Sequence, residues 1–66
     1  MLVLKDAYGD VIAYEMPGDT AAELAERHED DFDGVMVVWW EDKLGQFTPV
    51  LKIEEDKTLS VLKEGY

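Results

Sequence analysis

Sixty-six residues are enough for one domain, 1–66, in which only about 60% of the unfolded chain's surface can be buried, and a formal net charge of −10 colours everything else about it. Sixteen acids against six lysines and arginines argue against direct binding to nucleic acid or anionic lipid, because both repel such a surface, and favour basic partners, cations or a high-salt cytoplasm. No cysteine is present, so disulfides and thiolate metal sites are excluded. That composition fits a reducing, cytoplasmic compartment. Met1 leads directly into Leu2-Val3-Leu4-Lys5, so no secretory leader is expected, and the longest apolar run is too short to span a membrane. The chain is nevertheless 47% hydrophobic, enough to fold rather than remain an acidic coil.

In chain order, Met1–Lys5 reads as a short strand, apolar on both faces: Leu2 and Leu4 on one, Met1 and Val3 on the other. Asp6-Ala7-Tyr8-Gly9-Asp10 is a hairpin loop, and Val11–Met16 the return strand, with Ile12, Tyr14 and Met16 sharing a face. After Pro17-Gly18, Thr20-Ala21-Ala22-Glu23 fits a capping box and opens a helix of about three turns. Its apolar face is Ala21, Leu24, Ala25 and His28, and Phe32 seals the end of the core. Val35-Met36-Val37-Val38-Trp39-Trp40 is β-branched and aromatic throughout, the pattern of a central strand buried on both faces. Glu41–Gly45 turns the chain into Gln46–Ile53, where Phe47, Pro49, Leu51 and Ile53 alternate with Thr48, Val50 and Lys52. Pro49 has no amide hydrogen, so this strand is locally unpaired or bulged. Glu54–Lys57 is a further turn, Thr58–Lys63 a last strand with Leu59 and Val61 inward, and Glu64-Gly65-Tyr66 a tail.

The fold class that follows is α+β, in the order ββαβββ. A helical crossover makes the second and third strands parallel with a gap between them, and the first strand fills it. The predicted sheet order is 2-1-3-4-5, mostly antiparallel, with one helix on one face. One short helix leaves part of the other face wet or free to serve as an interface, so the chain is expected to be a monomer or a weak homodimer through that face. Trp39 and Trp40 point to opposite faces. One packs under the helix; the other is shielded by neighbours such as Val50 and Leu62, or makes a dimer or partner contact.

This topology brings the first hairpin loop, the helix-to-strand loop and the Glu54 turn to one end of the sheet. Asp6, Asp10, Glu29, Asp30, Asp31, Asp33, Glu54, Glu55 and Asp56 then form an acidic pole, opposed mainly by Lys57 and Lys5. Glu29, Asp30 and Asp31 crowd the helix C-terminus, where the dipole disfavours anions by about 0.3–1 kcal/mol each. Acids placed at a cost point to a use. Glu29-Asp30-Asp31-Phe32-Asp33-Gly34 begins like a calcium loop, but the twelfth position, where a bidentate glutamate is required, is Trp40. No metal site and no cofactor are expected. His28 is the only histidine and Ser60 the only serine, far apart in sequence; no carboxylate sits in an apolar context that would suit it to general acid work, and no glycine-rich phosphate loop exists. Catalytic residues are not expected, nor is an enzyme.

Glu23, Glu26 and Asp30, continued by Asp33, are spaced to present a row of charges about 5–6 Å apart along a helix. In size, acidity, absence of cysteine and absence of catalytic residues, the chain resembles small phage-encoded inhibitors, particularly anti-CRISPR proteins of the DNA-mimic type. The resemblance lies in overall character, with no shared motif. It implies a host-cell cytoplasmic location and, as partner, a basic nucleic-acid-binding subunit of a bacterial CRISPR effector, and it carries over no residue role. From their place on the helix and at the pole, the acids expected to contact such a partner are Glu23, Glu26, Glu29, Asp30, Asp31, Asp33, Glu54, Glu55 and Asp56. Two alternatives stand beside it. One is an accessory or antitoxin-like subunit that binds protein through the open sheet face. The other is a generic salt-adapted domain, against which lysines outnumber arginine five to one.

Overall fold

The computed structural model describes residues 1–66. Five strands, β1 (Leu2–Asp6), β2 (Val11–Tyr14), β3 (Met36–Glu41), β4 (Phe47–Ile53) and β5 (Leu59–Val61), form one antiparallel sheet in the order β2-β1-β3-β4-β5. One helix, α1 (Ala21–Arg27), packs against β4, β1 and β3. The expected α+β class, element order and sheet order are those of the structure. The β1 strand takes the gap between β2 and β3 because it is apolar on both sides: Leu2, Val3 and Leu4 are all buried.

The helix-side core consists of Leu2 and Leu4 from β1, Met36 and Val38 from β3, Val50, Leu51 and Ile53 from β4, and Ala21, Leu24 and Ala25 from α1. At ten such residues it is small for the sheet it must hold together, so each position carries weight. The capping box forms as the sequence requires: the Glu23 amide donates to the Thr20 hydroxyl and the Thr20 amide to Glu23 Oε1, both at 3.1 Å. Beyond that point the helix is shorter than expected. It stops at Arg27, two turns long, with His28 as its C-cap. Asp30 and Asp31 are poor helix formers, the run Glu29-Asp30-Asp31 places negative charge against the dipole, and His28 Nδ1 turns to Asp31 Oδ2 at 2.5 Å.

A bulge re-aims β4. Val38 pairs with Leu51 and Trp39 with Pro49, so Val50 is the extra residue. Both Val50 and Leu51 thereby reach the core, which corrects the simple alternation that put Val50 on the far face with Thr48 and Lys52. Its carbonyl accepts the amides of Leu62 and Lys63 at 3.0 and 3.3 Å, and β5 ends at Val61 rather than Lys63. Val61 is left 61% exposed at the sheet edge, not inward; Leu59 does pack on the core. On β2, Ile12 and Ala13 together lean on the core, since a register shift at Leu4/Lys5 breaks the alternation there too.

The C-terminal segment is more than a tail. Tyr66 folds back over the helix side, where its hydroxyl accepts the Ala21 amide at 3.3 Å and its ring lies 5.6 Å from Trp40. Trp40 is therefore the tryptophan on the helix side, at the core's margin. Trp39 lies on the helix-free face, shielded by other residues than Val50 and Leu62. The Phe47 ring meets it edge-on at 6.4 Å, and the Lys5 ammonium lies 5.7 Å from its ring and 3.8 Å from that of Phe47. Val3, also on this face and only 1% exposed, sits in the row between Tyr14 and Trp39.

Candidate functional site: an acidic pole at one end of the sheet

The register fixes which loops meet. Asp6, at the end of β1, pairs with Met36 at the start of β3, and Met36 pairs with Ile53 at the end of β4. The first hairpin, the helix-to-strand loop and the β4–β5 turn therefore share one end of the sheet. Direct contacts knit them together. The Tyr8 and Phe32 rings meet edge-on at 6.2 Å, and Lys57 Nζ donates to the carbonyls of Glu29 at 2.6 Å and Phe32 at 3.3 Å.

All three hairpins of the sheet share one turn geometry. In Asp6–Asp10, Asp42–Gln46 and Glu54–Thr58, the first amide bonds the fifth carbonyl and the fourth amide bonds the first carbonyl. The fourth residue needs a positive φ, which Gly9 (86°) and Gly45 (79°) adopt freely. In the third turn that position is Lys57, at φ 71°, the one non-glycine residue with positive φ. A side chain kept in that conformation is justified here by its reach, since Lys57 is the cation that ties the β4–β5 turn to the acidic loop.

Of the nine acids expected to contact a partner, four are occupied inside the fold. Glu23 belongs to the capping box and lies toward the opposite end. Asp31 bonds His28. Glu54 takes Lys52 at 3.4 Å and the Ser60 hydroxyl at 3.2 Å. Asp56 accepts the Thr58 amide at 3.0 Å, and hydrogen bonds from the Thr58 side chain and amide hold its carboxyl below the usual range. The other five, Glu26, Glu29, Asp30, Asp33 and Glu55, have side chains with no ion-pair or hydrogen-bond partner, and all but half-buried Glu29 are exposed. Glu26 stands on the last turn of α1 and the rest in the loops of the pole, with unpartnered Asp10 on the neighbouring hairpin.

The continuous helical row Glu23–Glu26–Asp30 does not exist, because α1 ends before Asp30 and Glu23 is in use as a cap. Glu29, Asp30 and Asp31 lie past the C-cap, where the dipole has largely decayed, so their placement costs less than a longer helix would imply. Asp19, by contrast, is silenced: Arg27 forks onto it, Nη1 at 2.8 Å from Oδ2 and Nη2 onto Oδ1, and the Met16 amide donates to the same carboxylate. That guanidinium, with the Met16 amide, holds Asp19 down to about 2.

The calcium-like spacing at Glu29, Asp31 and Asp33 does not converge, since Asp31 is turned to His28, and no three acidic or histidine side chains are arranged to hold a metal ion. No helix is long and apolar enough to cross a membrane. The pole's residues were readable from the sequence once the topology was right. The tethering role of Lys57 was missed, and its signal was the lysine standing where two otherwise matching turns carry glycine. Comparison with protein-family models, with curated proteins and with solved structures found no match to this chain.

Proposed function

We propose that this is a small acidic inhibitor, a phage-encoded anti-CRISPR protein in its resemblance, which occupies the basic nucleic-acid-binding groove of a bacterial defence complex with carboxylates in place of DNA phosphates. The observation that carries the reading is the division of labour among the acids. Half of the sixteen are engaged by hydrogen bonds or ion pairs within the fold, whereas Glu29, Asp30, Asp33 and Glu55 are unpartnered in the loops at one end of the sheet and Glu26 on the last helix turn before them. Exposed, unneutralised like charges on a rigid frame repel one another, and a positively charged groove relieves that repulsion while steering encounter.

The test is competition. Guide-loaded CRISPR effector complexes are incubated with the protein, and target-DNA binding is followed by gel shift. Wild type should block DNA binding in a salt-sensitive way. Reversing Glu26 and Asp33 to lysine should weaken inhibition at least about tenfold, chiefly through slower association. Reversing Glu41 and Glu64, unpartnered acids away from the pole, should matter far less. Equal potency of the two double variants sinks the phosphate-mimic reading. A second reading is favoured by the aromatic cluster of Trp39 and Phe47 on the helix-free face. Loss of inhibition on changing Trp39, with the pole intact, would make that face the working surface of a protein-binding accessory subunit.

A further inference from the structure

The helix-free sheet face differs in charge from the rest of the molecule. Its strand register lays it out in rows. One row is Lys5–Val37–Lys52, the next is centred on Trp39, and the third carries Glu41 paired with Phe47. Rows on one face are about 6.8 Å apart along the strands. In a chain of net charge −10, this face holds two lysines, of which Lys52 is paired with Glu54 at 3.4 Å. Lys5 has no carboxylate partner at all, and the carboxylate of half-buried Glu41 is in no ion pair, the Met1 ammonium donating instead to the Glu41 carbonyl at 2.8 Å and lying 3.9 Å from Glu15. Lys5 rests on aromatic rings instead.

We propose that this face pairs with the same face of a second copy, about a two-fold axis that lies between the sheets, crosses the strands at right angles and passes over Trp39. That operator reverses the strands and exchanges the first row with the third. Trp39 then meets its own counterpart, and Glu41 of each copy stands over Val37 of the other, between Lys5 and Lys52. The two sheets would be about 10 Å apart, a gap that opposed lysine and glutamate side chains span. The partner is a second copy because the surface is self-complementary under one operation: Lys5, which rests on rings and has no carboxylate, and the unpaired Glu41 carboxylate are brought together across the axis. The same operation sends the acidic poles to opposite ends, more than a strand length of ~20 Å apart, beyond the Debye length of ~10 Å at 0.1 M salt. The alternative axis, parallel to the strands, would put both poles side by side.

The extent of the face sets the strength. Five strands about 4.8 Å apart and about 20 Å long present on the order of 400 Å² per copy, which places the pair below the roughly 1,200 Å² of stable complexes. The dimer is therefore weak and concentration-dependent, and the pole remains free in it, so it stands or falls apart from the inhibitor reading.

Sedimentation equilibrium on the full chain tests this, from about 10 µM to about 1 mM, concentrations that bracket weak association. Wild type should move from 7.5 kDa toward twice that mass, more readily in 1 M than in 0.05 M sodium chloride as the net repulsion is screened. Glu41→Lys lowers the net negative charge, so indifferent association would strengthen, whereas loss of the specific pairing should weaken it at least about tenfold. Glu41→Gln should weaken it in the same direction, and the swap Lys5→Glu with Glu41→Lys should recover a substantial part. Circular dichroism confirms that each variant is folded. A mass that stays at 7.5 kDa throughout, or a Glu41→Lys chain that associates as well as wild type, overturns the proposal.

Discussion

Lys57 offers the sharpest test of how the pole is held together, because two opposing effects meet at one residue. Its backbone occupies the left-handed conformation, which costs a residue with a Cβ roughly 1–2 kcal/mol relative to glycine. Against that, its ammonium donates to two carbonyls of the helix-to-strand loop. Hydrogen bonds involving a charged group contribute about 1.5–3 kcal/mol. Lys57→Met keeps the conformational cost and removes the tether, so it should lose most of that sum. At about 4–8 °C per kcal/mol for a domain of this size, the midpoint falls on the order of 10 °C. Lys57→Gly removes both effects and should stand about 1–2 kcal/mol above Lys57→Met. The assay is a thermal melt of the three proteins at fixed salt, with amide hydrogen exchange to locate the loss. Exchange should quicken first in residues 29–34, the loop that Lys57 holds. A Lys57→Met variant as stable as wild type would refute the tether, and would leave Lys57 as a strained turn residue with no compensating contact.

The unpartnered acids should make wild type more stable as sodium chloride rises, since the Debye length contracts from ~10 Å at 0.1 M to ~3 Å at 1 M; a flat or falling midpoint in a salt series would mean the charges are already balanced. Asp19 has a folded pKa of about 2, below its ordinary value of 3.8, so the Asp19–Arg27 pair stabilises the fold above about pH 4 and that contribution is lost as pH falls toward 2. Asp19→Asn should be less stable than wild type at neutral pH and should lose less on acidification across that window, as followed by circular dichroism. Removing Tyr66 uncovers Trp40 and frees the Ala21 amide, so its emission should shift to longer wavelength and the midpoint should fall; Tyr66→Phe, which keeps the ring, should retain the emission and lose only the hydrogen bond, about 0.5–1.5 kcal/mol.

The sequence by itself determined the order of elements, the sheet order and the place of the acidic pole. These follow from local rules that the chain states without ambiguity. Two-sided apolarity puts β1 and β3 inside the sheet; Thr20 and Glu23 start the helix; the glycines at 9 and 45 close hairpins. What only the tertiary structure decided was which side chains each face and each charge would keep. The bulge at Val50 inverted the expected alternation because burying Val50 and Leu51 together fills a core that one two-turn helix cannot fill alone. The tryptophans sorted by register, Trp40 to the helix side and Trp39 to the other, a choice that period-two patterning leaves symmetric. The free acids separated from the structural ones because a carboxylate's role depends on which amide or cation lies within about 3 Å, and for Asp19, Glu54 and Lys57 those partners were fixed by how turns and loops converge rather than by spacing along the chain.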